Sequence, residues 1–150
     1  MAYEVICTDD RDPSKEVTVY MGVTHFEDYK LQGRALFQFE AFASKAARNA
    51  GGRAYSAAAL VPVLQLTKWT EQVAEIPGAP AELDEDGNVV TPEIPAVPAT
   101  TIEHDDYAAY REVIGAGFDP IRYAYEEAKR NMNPVNSALK ALALSAKDIK

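Results

Sequence analysis

Glu71-Gln72-Val73-Ala74-Glu75-Ile76-Pro77-Gly78-Ala79-Pro80-Ala81-Glu82-Leu83-Asp84-Glu85-Asp86-Gly87-Asn88-Val89-Val90-Thr91-Pro92-Glu93-Ile94-Pro95-Ala96-Val97-Pro98-Ala99-Thr100-Thr101-Ile102-Glu103-His104-Asp105-Asp106 contains ten acidic residues and no Lys or Arg. The remainder carries 13 acids and 15 bases, so this stretch accounts for the whole net charge of -8. Five of the nine prolines lie in it. It also holds an internal echo: Glu75-Ile76-Pro77-Gly78-Ala79-Pro80-Ala81 and Glu93-Ile94-Pro95-Ala96-Val97-Pro98-Ala99. The two copies flank Asp84-Glu85-Asp86-Gly87-Asn88, a turn signal. Folding back about that turn puts Val73 opposite Thr100 and Trp69 opposite His104. Strand 65–73 then pairs with strand 99–104 at the base. Prolines every three residues disfavour a continuous ladder farther out, so residues 76–97 read as an extended, partly polyproline arm or loop. A disordered loop is the competing reading of the same composition.

The flanking sequence reads as the α+β body that carries this arm. With 150 residues and 47% apolar content, one domain with its own core is expected. Tyr3, Val5 and Cys7, then Val17, Val19 and Met21, alternate with polar neighbours as in a half-buried hairpin. Thr24-His25-Phe26-Glu27 matches a capping box and predicts a long helix from about His25 to Ala50, ended by Gly51-Gly52. Its apolar face would be Leu36, Phe39, Ala43, Ala46, Ala47 and Ala50, widened by Phe37 and Phe42, with a weak point at Gly33. Leu60 to Thr70 reads as a strand, with Pro62 placing this part at a sheet edge or at a bulge. Asp105 or Asp106, Asp119-Pro120 and Asn133-Pro134 each open a helix, to about Ile114, Met132 and Ala146. The last residues are expected to fray. The fold class is thus a small antiparallel sheet, made of the N-terminal hairpin plus strands near 60–73 and 99–104, packed against a long helix and two to three C-terminal helices.

Chemistry is sparse. Cys7 is the only cysteine, which removes an internal disulfide and thiolate zinc clusters, and it reads as a small buried hydrophobe. Asp9-Asp10-Arg11-Asp12 resembles part of a calcium loop but lacks the glycine and distal glutamate of one, so a solvated turn is the simpler reading. His25 reads as a surface residue at a helix start. His104, beside Glu103, Asp105 and Asp106, could bind a metal or act as a base, yet consecutive strand residues point to opposite sides. Phosphate loops, nucleophile elbows and His-Glu-x-x-His are absent from the sequence. The expectation is a protein that is not an enzyme and uses no cofactor. No basic cluster extends beyond Lys129-Arg130, so direct nucleic-acid binding is not expected. No apolar run reaches the ~20 residues of a membrane span.

The run Ile76 to Ala99, centred on Asp-Gly-Asn, resembles proline-rich insertions in virion and tail-accessory proteins of tailed bacteriophages. That resemblance, over residues 71–103, implies a structural or assembly protein. It would sit in the virion, or in host cytoplasm during assembly, with an arm that reaches a neighbouring subunit of an oligomer. The candidate partner-binding residues are Ile76, Pro77, Pro80, Asp84, Glu85, Asp86, Ile94, Pro95, Val97 and Pro98. The alternative is an acidic inhibitor, such as a host-defence antagonist, that covers a basic surface on another protein.

Overall fold

The computed structural model of the chain describes residues 2–8, 12–51 and 62–149. It is a mixed α+β structure that divides into two compact units. The first comprises Met1–Lys68 and Asp105–Lys150, and the second Trp69–His104.

In the first unit, β1 (Ala2–Thr8) and β2 (Glu16–Tyr29) form the expected hairpin, with Tyr3 facing Met21, Val5 facing Val19 and Cys7 facing Val17. The Cys7 side chain, Asp9 to Arg11 and Leu60-Val61 lie outside what is described, so the readings made there stay as expectations. Asp12 does form a turn: its Oδ1 accepts the Ser14 amide at 3.2 Å and the Ser14 hydroxyl at 2.6 Å.

The long helix expected over residues 25–50 is not formed. β2 continues to Tyr29, a short 3-10 turn (Lys30–Gln32) follows, and β3 (Arg34–Phe42) returns antiparallel. Only α1 (Lys45–Asn49) is helical there, capped by the Ser44 side chain. Gly33 is therefore a turn residue, at φ 62, and no kink in a helix. The deciding period is two: Ala35, Phe37, Phe39 and Ala41 are all 0% exposed. Glu27 closes no capping box. Its carboxylate accepts from Tyr29 and lies 2.9 Å from His25 Nε2. A bulge between Val23 and His25 bends β2, and the Val23 amide freed there donates to Tyr125 Oη at 2.9 Å.

β4 (Val63–Leu66) pairs with β3 at the sheet edge, as Pro62 suggested, and the Pro62 carbonyl accepts the Phe39 amide at 3.0 Å. Among the described residues the C-terminal stretch does not fray: β9 (Lys147–Ile149) pairs with Ala2–Glu4. The sheet order is β4-β3-β2-β1-β9. One face carries α2 (Asp106–Gly115), α3 (Pro120–Arg130) and α4 (Ser137–Ser145). Asp105 and Asp119 cap α2 and α3 as expected, and Asn133-Pro134 opens a 3-10 turn before α4. The core is aromatic. Phe37 stacks on Phe26 at 4.6 Å and meets Tyr110 edge-on at 5.8 Å, while Tyr3 meets Tyr125 edge-on at 5.1 Å. No helix among the described residues is long and apolar enough to cross a membrane.

One buried polar cluster closes the exposed side of β4. Asn136, 1% exposed, accepts the Gln65 amide and donates to the Gln65 carbonyl, both at 2.8 Å. Its side chain thus takes the place of a neighbouring strand. Asn131 joins it through an Nδ2–Oδ1 bond of 2.8 Å and donates to Glu127 and Asp106, each at 3.0 Å.

Candidate interaction site

The second unit is a two-limbed ribbon. β5 (Lys68–Val73) pairs with β8 (Thr100–Asp105), and β6 (Glu82–Leu83) pairs with β7 (Val89–Thr91). The strand pairing with β8 begins at Lys68, because Gln65 and Leu66 belong to the main sheet. Between the two short ladders lie two bridges, Ile76 with Val97 and Ala79 with Ile94, and each exchanges two backbone hydrogen bonds of 2.9 Å. Glu82 faces Thr91 next. All three pairs fall on the register the echo predicts, in which Val73 faces Thr100 and Trp69 faces His104.

The bridges recur every third residue, whereas pleated strands bond every second. A three-residue repeat is the period of polyproline II. This resolves the conflict expected between prolines and a ladder. Each of the five prolines directly follows a bridged residue: Ile76-Pro77, Ala79-Pro80, Thr91-Pro92, Ile94-Pro95 and Val97-Pro98. Proline's missing N–H therefore falls where the ladder asks for no donor. Proline also holds the residue before it in the extended region that the bridge requires. The third phase faces the other limb at Gly78. A Cβ on Gly78 would lie 2.7 Å from Ala96 N and 2.7 Å from Ile94 O. Glycine is the residue that allows this approach; the same phase elsewhere holds Ala81, Ala96 and Ala99, and Glu93 beside the turn.

Asp84 builds the turn. Its Oδ1 accepts the Asp86 and Asn88 amides at 3.0 and 2.8 Å, and its backbone N–H donates to Asn88 O. Gly87 takes φ 80. The Asn88 amide, helped by that of Asp86, holds the Asp84 carboxyl below the usual range. At the base, the His104 ring stacks on Trp69 at 4.3 Å, and Nε2 lies 2.8 Å from Glu71 Oε2.

No residue of Trp69–His104 is buried. Of the candidate residues, Asp84 is a turn-builder, and Ile76, Ile94 and Val97 carry bridges. Pro77, Pro80, Pro95, Pro98, Glu85 and Asp86 are exposed. The large apolar side chains Ile76, Leu83, Val89, Val90, Ile94, Val97 and Ile102 are 46 to 66% exposed. Gly78 and the Trp69–His104–Glu71 group were not singled out from sequence. The bridge–proline–small repeat of the two echo copies was the signal for the first. The predicted facing of Trp69 and His104 was the signal for the second. Glu71 gives His104 its carboxylate partner, while Asp106 accepts from Asn131. No group of three or more His, Cys, Asp or Glu among the described residues is placed to hold a metal. No protein-family model, curated protein or solved structure matches this chain.

Proposed function

We propose that the chain is a structural or assembly protein of a tailed-bacteriophage particle, acting through protein–protein contacts. In this reading residues 76–97 form a protruding arm that engages a neighbouring subunit. The observation that carries it is a unit without a buried side chain that still displays seven large apolar ones. Two-stranded ribbons are marginal alone in water, and exposed apolar rows rimmed by charge mark interaction surfaces. The phage setting rests on the resemblance of residues 71–103. The test is the mass of the native complex purified with the wild-type chain and with a variant in which residues 76–97 are replaced by a two-residue turn. The variant should fold and leave the complex. Normal assembly of the variant would sink the reading.

The segregation of charge favours a second reading, an acidic inhibitor of a basic surface. All eight acids of Trp69–His104 lack a Lys or Arg within the unit, while the rest of the chain has fifteen of each sign. This reading expects a one-to-one complex whose affinity falls steeply with salt. A particle-bound subunit would hold its place as salt rises.

A further inference from the structure

We infer that the ribbon is a ligand for a groove lined with aromatic side chains and rimmed by Lys or Arg on another protein. The inference rests on the reading above and names its partner's chemistry. In a three-residue repeat each limb has three edges. The backbone of one residue in three bonds the other limb, and Gly78 lies against it. What remains outward is a row of aliphatic–proline dipeptides: Ile76-Pro77 and Ala79-Pro80 on one limb, Ile94-Pro95 and Val97-Pro98 on the other. Ile76, Ile94 and Val97 are 56, 55 and 47% exposed. Rows of this kind, with rigid rings, no N–H on every third residue and free carbonyls between, dock between aromatic rings. Pairing of the limbs fixes them in advance, so little ordering is left for binding.

Charge selects the occupant. The unit carries eight carboxylates and no Lys or Arg, so a second copy of the ribbon meets like charge at every acid. The other unit of a second copy has fifteen charges of each sign and offers no net attraction. A base-rimmed groove on a different protein meets both conditions.

The probe is a purified SH3 domain whose acidic groove rim is rebuilt with lysines, titrated calorimetrically into the full chain beside the same domain with its acidic rim. Micromolar binding to the lysine-rimmed domain alone is expected. It should weaken at least tenfold in P77A/P80A/P95A/P98A, and weaken as salt rises. Amide exchange at Ile76, Ala79, Ile94 and Val97 shows whether that variant keeps its bridges. If it does not, P77A/P80A and P95A/P98A are tested separately. Equal affinity of a bridged proline variant, equal binding of both rims, or no binding to either domain would overturn the inference. Failure here with loss of assembly in the 76–97 replacement would remove the groove and leave the assembly reading standing.

Discussion

Phe37 and Ile94 both face an antiparallel partner through backbone hydrogen bonds, one in a ladder and one in a bridge, yet Phe37 is 0% exposed and Ile94 is 55% exposed. The difference separates two ways of ordering a chain. The sheet-and-helix unit is held by side chains: aromatic rings from β2 and β3 interlock with tyrosines of α2 and α3. The ribbon is held by its backbone, by proline stiffness and by one turn-building aspartate. Burial supplies most folding free energy, so the first unit should tolerate surface change and fail on core change. The ribbon should show the reverse sensitivity, to backbone geometry alone. Two reporters separate them. Trp69 is the only tryptophan and lies in the ribbon, whereas all eight tyrosines lie outside it.

The largest expected effect is Phe37→Ala. It removes a buried ring in contact with Phe26 and Tyr110, and such truncations cost about 3–5 kcal/mol. Denaturant unfolding followed by tyrosine signal should show this loss. Ile94→Ala, as a matched truncation in the ribbon, should move the same curve by about 0.5 kcal/mol or less. Equal losses would erase the distinction between the units.

Asn136→Leu is next. It leaves the Gln65 amide and carbonyl without partners at a half-buried strand, and takes one donor from Asn131 Oδ1, which keeps the Asn133 amide. Each such group costs about 1–3 kcal/mol, partly offset by the added apolar volume, so a net loss of about 3 kcal/mol is expected in the same assay. Asn136→Asp should be no better. It keeps the acceptor for Gln65 N–H but loses both donated bonds and buries a charge.

These two sites show what sequence could and could not carry. The β1–β2 hairpin was legible because Tyr3, Val5 and Cys7, and Val17, Val19 and Met21, alternate with polar neighbours, and the structure pairs these two sets. The ribbon register was legible because the echo is symmetric about Asp86-Gly87. Helix starts at Asp105 and Asp119, and the cap at Asn133 that opens a 3-10 turn before α4, were legible because capping is local. Residues 25–50 were not. Leu36, Phe39, Ala43 and Ala47 fit a helical period, and Ala35, Phe37, Phe39 and Ala41 fit a strand period. What decides is the long-range pairing of β3 with Leu64 and Leu66 and the contact with Tyr110. Asn136 was hidden for the same reason, since Gln65 lies 71 residues away. In the ribbon, the candidate residues were visible as an apolar and proline row. The role of Gly78 was not, because it depends on how closely two limbs approach.

pH should separate the units from opposite ends. Burial pushes the Tyr110 phenol up to about 12, and burial also raises Tyr123 and Tyr125. The unfolded chain ionises its phenols near pH 10, so above that pH it binds fewer protons than the fold does. Stability of the sheet unit should therefore fall as pH rises from about 10 to about 12, by ~1.4 kcal/mol per pH unit for Tyr110, with Tyr123 and Tyr125 acting in the same direction. Tyrosinate absorbance should rise together with unfolding. Asp84 works the other way. Its lowered carboxyl stabilises the turn above the unfolded value and releases it as pH falls through the folded one, below pH about 4. Amide exchange at Asp86 and Asn88 should quicken there while the tyrosine signal holds.

The smallest effect on global stability, and the sharpest on the comparison, is expected from Gly78→Val. Its Cβ would meet the backbone of Ala96 and Ile94 at 2.7 Å, and backbone cannot swing aside as a flexible side chain can. The limbs must part, so protection of the Ile76, Ala79, Ile94 and Val97 amides should be lost. The tyrosine-monitored midpoint should shift by no more than about 0.5 kcal/mol, because no core contact changes. The control lies one residue along. Ala79→Val puts the same side chain on a bridged residue, the phase at which the second copy of the echo already carries Val97, 47% exposed. It should keep all four amides protected. Loss of protection in both variants would mean that the ribbon is crowded at every phase, and the three-edged limb would have to be abandoned. Loss in Gly78→Val alone assigns the inward edge to Gly78 and leaves the aliphatic–proline edges open to solvent or to a partner.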